Sequence, residues 1–127
     1  MSVQLNHTIV HTHDKQSSAR FFAEILGLPE PKPFGPFVTV QADNDVTLDF
    51  LETEGELAPE HYAFLVGEDT FDEIFARLRE RGLAYWADPH HHEPGTINTR
   101  DGGRGLYFED PDGHNLEILT RPYGSGR

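Results

Sequence analysis

The sequence predicts an α+β fold built from two copies of a β-α-β-β-β module, joined in a single domain over residues 1–127. The same order of predicted elements occurs twice, once over about residues 4–54 and once over about 58–122. Histidines in the two opening strands, His7 and His61, are 54 residues apart (61 − 7), and so are Phe21 and Phe75 in the two helices (75 − 21), which supports the repeat. A chain of 127 residues is also long enough to bury one core without disulfides.

The first module is predicted from its helix caps and its turn residues. Asp14 is a typical N-cap before a segment whose apolar residues recur every three or four positions, and Gly27 is a typical C-cap after it. The Asp-Asn-Asp run at 43–45 favours a turn between two strands. The predicted elements in chain order are a strand (5–10), a helix (15–26), a proline-rich loop (29–36) and a hairpin (37–40 and 46–51).

The second module repeats this order. An apolar stripe predicts its helix, which ends at Gly82, and the Asp-Pro-Asp-Gly run at 110–113 strongly favours a turn. The predicted elements in chain order are a strand (61–66), a helix (70–81), a strand (83–87), a long loop (88–103) and a hairpin (106–108 and 116–119).

The composition limits the partners. The chain has 10 Lys and Arg against 22 Asp and Glu, and its net charge of −12 repels phosphate backbones and anionic lipid headgroups. We therefore expect neither a nucleic acid nor a membrane as a partner. No apolar run approaches the roughly 20 residues of a membrane span, and the first residues lack a signal-peptide pattern, so we expect a cytoplasmic protein. The chain has no cysteine, so any metal must be bound by His, Asp or Glu.

Four residues of metal-binding types lie inside otherwise apolar predicted strands. His7 and His61 lie in the opening strands, Glu117 lies in the last strand of the second module, and Asp49 is its counterpart in the first. Carboxylates are poor strand formers and costly to bury unpaired, so their presence needs an explanation. Imidazoles and carboxylates without sulfur suit a divalent Fe, Mn, Ni, Co or Zn ion. The pattern alone leaves open that the histidines form structural hydrogen bonds and that the carboxylates face solvent.

Three stretches resemble the vicinal oxygen chelate superfamily, which includes glyoxalase I, bleomycin-type resistance proteins, fosfomycin-resistance thiol transferases and extradiol dioxygenases. They are LNHTIV at 5–10, EHYAF at 60–64 and YFEDPDGHNLE at 107–117, and the last is the most specific. The resemblance spans essentially the whole chain. It implies a curved mixed sheet of half-barrels around a metal or ligand cavity, and a homodimer.

The resemblance also implies that His7, His61 and Glu117 are metal ligands. Asp49 falls on a fourth position, which is a carboxylate in glyoxalase I. Because Asp is one methylene shorter than Glu, Asp49 is expected to bind through a water or to act as a base without contacting the metal. In the family chemistry the metal is a Lewis acid for substrate oxygens, with Asp49 or Glu117 as general base. The expected function is a divalent-metal-dependent lyase, isomerase or dioxygenase acting on a small substrate chelated through its oxygens.

Two other functions stay open. One is a metal-independent drug-binding protein of the bleomycin-resistance type, for which aromatic residues such as Trp86 would line the ligand groove. The other is a metal-dependent thiol transferase that acts on an antibiotic, because the fosfomycin transferases use only the His, His and Glu positions. Tyr107 matches a tyrosine in the hairpin of those transferases, so it is expected to face the site and contact substrate; the alternative is that it packs in the core. Metal dependence would separate the first of these from the enzymes.

Other residues are candidates for contact with a substrate. His11 lies four positions after His7, so in one strand it shares that face and is a candidate catalytic group; the alternative is an exposed strand-end histidine. Trp86 is a candidate for lining a pocket, although aromatic strand residues more often belong to the core. Arg100 and Arg104 are candidates for binding an anionic substrate group, the alternative being solvated loop arginines. The His-His-His-Glu run at 90–93 predicts a solvated loop that could also close over a ligand.

Overall fold

The chain divides after Ala58 into two units, called here the first unit and the second unit. The structure is a computed structural model, and it describes residues 2–126. Each unit contains one mixed β-sheet and one α-helix of more than ten residues, which gives the α+β fold that the sequence predicts. None of the helices in the described part of the chain combines the length and the apolar character that a membrane span requires.

The first unit is a four-stranded sheet with one helix. Its strands lie side by side in the order β1-β4-β3-β2, with β1 parallel to β4 and the other neighbours antiparallel. Asp14 accepts a hydrogen bond from the backbone N–H of Ser17 at the start of the helix, and Gly27 ends it with a φ of 70°. The elements are β1 (His7–Thr12), α1 (Lys15–Leu26), β2 (Lys32–Phe34), β3 (Phe37–Gln41) and β4 (Thr47–Glu52).

The second unit is a three-stranded sheet with one helix. Its strands lie in the order β5-β7-β6, with β5 parallel to β7 and β6 antiparallel to β7. A 3-10 turn, Arg100–Gly102, precedes β6. The elements are β5 (His61–Leu65), α2 (Glu68–Glu80), β6 (Gly105–Glu109) and β7 (Asn115–Leu119).

The pairing register repeats between the units. Ile9 of β1 is opposite Asp49 of β4, and Ala63 of β5 is opposite Glu117 of β7. Each opposed pair is preceded two residues earlier, on β1 or β5, by a histidine. Asp49 therefore occupies in the first sheet the position that Glu117 occupies in the second.

Two predicted elements differ from those observed by more than a shift of one or two residues at their ends. The proline-rich segment predicted as a loop contains β2, because Pro33 lies on the edge strand of the sheet, where a missing N–H costs no ladder bond. The strand predicted over 83–87 is wrong in extent: only Trp86 pairs, through isolated bridges to Tyr107 and Pro94. The second unit is therefore β-α-β-β rather than β-α-β-β-β.

Alternation along the strands separates a core face from a second face in each sheet. Leu116 and Ile118, which flank Glu117 in β7, are fully buried, as are Leu106 and Phe108, which flank Tyr107 in β6. Successive side chains of a strand point to opposite faces. Glu117 and Tyr107 therefore share the face opposite to these apolar residues.

Candidate functional site

The candidate site lies on one face of the second sheet, where residues of neighbouring strands are paired across the sheet. Trp86 pairs with Tyr107, Tyr107 with Glu117, and Glu117 with Ala63, so the row crosses the sheet at one level. Side chains that are directly opposite each other in a ladder lie on the same face. His61, two residues before Ala63, lies on that face as well. The sheet thus brings together His61, Tyr107, Trp86 and Glu117.

Glu117 is a buried carboxylate, with 1% of its surface exposed. Its Oε1 lies 3.1 Å from Nε2 of His61, and its Oε2 accepts a hydrogen bond from the hydroxyl of Tyr123. A buried carboxylate is costly unless charges and hydrogen bonds compensate it. Packing in the core alone therefore does not explain why a glutamate, with one carboxylate oxygen beside an imidazole nitrogen, is buried here.

The hydrogen bonds of His61 define what its Nε2 can do. Nδ1 of His61 lies 2.8 Å from the backbone carbonyl oxygen of Asn115, which can only accept, so Nδ1 carries the hydrogen. In the neutral ring Nε2 is then the nitrogen that can bind a metal, whereas in the protonated ring it donates a hydrogen bond to Oε1 of Glu117. Two donor atoms that each lie about 2.1 Å from one ion at a right angle are about 3 Å apart. The 3.1 Å pair of His61 and Glu117 fits two ligands of one divalent metal ion.

A directed chain of hydrogen bonds ends on the other oxygen of Glu117. Nη1 of Arg100 donates to the hydroxyl of Tyr107 at 3.2 Å, and the hydroxyls of Tyr107 and Tyr123 are 2.9 Å apart. Because each hydroxyl has one hydrogen and Tyr123 donates to Glu117, Tyr107 must donate to Tyr123. Burial, and then the hydrogen bond that Tyr123 donates to Glu117, raise the pKa of Tyr123 above the ordinary tyrosine range. Tyr123 therefore remains a donor at neutral pH.

The histidine-rich loop is ordered rather than simply solvated. The rings of Trp86 and His91 stack with centroids 3.7 Å apart, and Nε2 of His91 lies 3.0 Å from Oδ1 of Asn115. Burial acts to raise the pKa of Asp88, but hydrogen bonds from the backbone N–H groups of His92 and Glu93 outweigh it and lower that pKa. The expectation that the whole run is solvated is wrong for His91, which the stack and Asn115 hold beside the row of site residues.

The corresponding face of the first sheet carries His7 and Asp49. Asp49 is 8% exposed, and the described residues offer its carboxylate no hydrogen-bond or ion-pair partner. His7 is exposed, and its Nδ1 lies 2.8 Å from the side-chain oxygen of Asn6. His11 is exposed in β1, with its Nδ1 2.9 Å from the hydroxyl of Thr53. The roles expected for these residues stay predictions.

The structure adds Tyr123 to the predicted set and gives Arg104 a structural role. Nε of Arg104 lies 2.8 Å from Glu68, and its Nη1 lies 2.8 Å from Asp72, so substrate binding by Arg104 stays a prediction. Arg100 and Tyr123, by contrast, reach Glu117 through the hydrogen-bond chain, and the motifs did not single out Tyr123. Its only sequence signal is a lone aromatic residue in a polar, glycine-containing segment six residues after Glu117.

The predicted metal set is only partly gathered. His61 and Glu117 meet in the second unit, whereas His7 belongs to the first. Across residues 2–126, no three His, Cys, Asp or Glu side chains lie close enough together to hold a metal ion.

Residues 4–118 match the model of the Glyoxalase/Bleomycin resistance protein/Dioxygenase superfamily, and the chain belongs to that superfamily. The resemblance seen in the sequence is thereby confirmed. Two solved structures, named Oxidase ChaP-H1 and Oxidase ChaP-H2, are similar along their whole length. The first is 68% identical with a TM-score of 0.95, covering 97% of this chain and 99% of its own. The second is 66% identical with a TM-score of 0.97, covering 100% of both chains.

A relative with a different name is also similar over most of the chain. Glutathione transferase FosA of Serratia marcescens is 32% identical over 125 residues, which is 93% of this chain and 81% of the relative. The names of these relatives therefore describe two different reactions, oxidation and glutathione transfer.

Proposed function

We propose that this protein is a metal-dependent oxidase that binds a divalent metal ion, Fe(II) in the first instance, through His7, His61 and Glu117. It would oxidise a small substrate that chelates the metal through its oxygens, with dioxygen as the oxidant. The observation that carries the proposal is the 3.1 Å approach of His61 Nε2 to Oε1 of the buried Glu117. The identity of 66–68% to two chains named oxidases supports the choice of reaction.

The donor set supports iron. Two imidazoles and one carboxylate, with positions left for other ligands, are typical of non-haem Fe(II) enzymes that use dioxygen. When bound, such an ion supplies Lewis acidity to substrate oxygens and electrons to dioxygen.

Other residues would orient the ligands, contact the substrate or move a proton. The carbonyl of Asn115 fixes the ring of His61, and neutral imidazole is the form that ligates. Trp86 and Tyr107, which pair beside Glu117, would line the substrate side of the site, with His91 stacked against one face of Trp86. Asp49, buried without a partner, is the proposed general base that takes a proton from the substrate.

Oxygen uptake and metal content test this proposal together. The protein is loaded with Fe(II) without oxygen, desalted, and assayed for bound iron and for oxygen uptake with small enediol and catechol probes. We expect about one iron per chain, and loss of both iron and uptake in His61→Ala. His90→Ala, which removes an exposed loop histidine of the same unit, is the matched control. Equal iron binding by His61→Ala and the control would refute the metal site.

Thiol transfer to an antibiotic is the second candidate, because of the 32% identity to a glutathione transferase. It predicts loss of free thiol when glutathione and fosfomycin are mixed with the metal-loaded protein, with no oxygen uptake. The oxidase predicts the reverse pattern.

We also propose that the protein is a homodimer. Ile9 and Leu65 are 39% and 62% exposed, and each lies on the same sheet face as the metal-binding candidates of its unit. Large apolar side chains on such a face favour a covering partner. Sedimentation equilibrium checks this state directly.

A further inference from the structure

The segment after β7 has a defined place on the second unit. The carboxylate of Asp101 accepts hydrogen bonds from the backbone N–H groups of Gly124 and Gly126, at 3.1 and 3.3 Å. Nη2 of Arg121 donates to the carbonyl of Ser125 at 2.9 Å. Asp101 itself has a φ of 56°, in the left-handed region that Asp and Asn tolerate better than most residues. The segment therefore brings Tyr123 to Glu117 by contacts that lie outside the site.

The two carboxylate oxygens of Glu117 have different partners. Its hydroxyl donates to Oε2, while Oε1 faces His61. Arg100 donates a hydrogen bond to the hydroxyl of Tyr107, and Tyr107 donates to the hydroxyl of Tyr123. The hydroxyl hydrogen of Tyr123 is therefore donated to Glu117. Tyr123 as a whole residue is 58% exposed, so burial of the side chain does not explain why the hydroxyl lies there.

We propose that Tyr123 is a positioning residue that commits Glu117 to bind metal through Oε1 alone, supported by Tyr107 and Arg100. The inference rests on the proposed function, because it takes Glu117 as a ligand. A carboxylate that ligates through one oxygen leaves one more position on the ion for substrate or dioxygen. Partners of this kind, which orient a ligand without contacting the ion, typically change metal affinity about 10–100-fold when they are removed.

Removal of the Tyr123 hydroxyl is the test, with Co(II) as the probe. In Tyr123→Phe we expect Co(II) affinity, measured by competition with a chelating dye, to fall about 10–100-fold. We also expect weaker visible Co(II) absorption at saturation, because a second carboxylate oxygen raises the coordination number. Tyr85→Phe is the matched control: its ring packs on Phe75 and the described residues give its hydroxyl no hydrogen bond. A merely structural role would not change the absorption.

Asp101→Asn supplies an independent variant. It keeps the left-handed backbone but removes one acceptor for the segment, so we expect an intermediate loss of affinity in the same direction. Co(II) affinity and absorption in Tyr123→Phe equal to those of Tyr85→Phe would overturn the inference. Tighter Co(II) binding by Tyr123→Phe would overturn it as well, because Tyr123 would then compete with the metal for Glu117.

Glu117→Gln distinguishes a failure of the proposed function from a failure of this inference alone. If it binds Co(II) normally, the proposed function fails; if it loses Co(II) while Tyr123→Phe does not, only this inference fails.

Discussion

The two sheets have the same register around their acidic residues, but they surround them differently. Glu117 is 1% exposed and contacts His61 and Tyr123, whereas Asp49 is 8% exposed and has no partner among the described residues. The opening histidines differ as well. Nδ1 of His61 is held by a backbone carbonyl, while Nδ1 of His7 meets the side chain of its neighbour Asn6.

The difference comes from what flanks each sheet. In the second unit, the long connection before β6 brings Trp86 and Arg100 to Tyr107, and the segment after β7 brings Tyr123. In the first unit, the strand β2 pairs with β3 and places Lys32 opposite Thr39 at the equivalent level. The repeated topology thus supplies equivalent positions, and the connecting segments decide which of them becomes a hydrogen-bonded site.

The largest expected effect separates the two carboxylates. Glu117→Gln removes a ligand oxygen from a site that already holds His61, so we expect no detectable iron after loading and no oxygen uptake. Asp49→Asn should keep its iron but lower turnover about 100–10,000-fold, the usual contribution of a general base. Metal analysis and uptake rates on the same preparations check both. Iron loss in Asp49→Asn would instead make Asp49 a fourth ligand.

A smaller effect is expected from mixing two inactive variants. If His7 completes the site of a partner chain, a mixture of His7→Ala and Glu117→Gln re-forms one intact site in each mixed dimer. Random exchange in a twofold dimer then returns about one quarter of the wild-type oxygen uptake. If both residues serve the same chain, no activity returns. Each variant mixed with itself is the control.

Sequence patterns were sufficient where local chemistry decides the structure. The helix α1 has its predicted bounds because Asp14 and Gly27 cap it, and the equivalence of Asp49 and Glu117 follows from the repeat. The strand β2 was missed because Pro33 argues against a strand unless its edge position is known. Tyr123 was missed because its role depends on a segment held by Asp101, a contact between residues with no shared motif.

The smallest expected effect compares the hairpin turns of the two sheets. Asp110, in the β6–β7 turn, is 6% exposed, and its Oδ2 has no partner, whereas Asp45 in the β3–β4 turn is exposed. Burial raises the pKa of Asp110 above its ordinary 3.8, although a hydrogen bond from the N–H of His114 opposes this. The folded state therefore holds this proton more tightly than the unfolded state, and Asp110 destabilises the fold increasingly as the pH rises above 3.8.

Asp110→Asn keeps the acceptor for the backbone N–H groups and removes the buried charge. We expect it to stabilise the fold at pH 7 by about 1 kcal/mol, the lower end of the cost of an unsatisfied buried polar group. The gain should shrink as the pH falls towards 4, because wild-type Asp110 is then protonated as well. Asp45→Asn should show no such trend. Thermal unfolding of both variants between pH 4 and 7 checks this, and a gain that grows on acidification would contradict the raised pKa of Asp110.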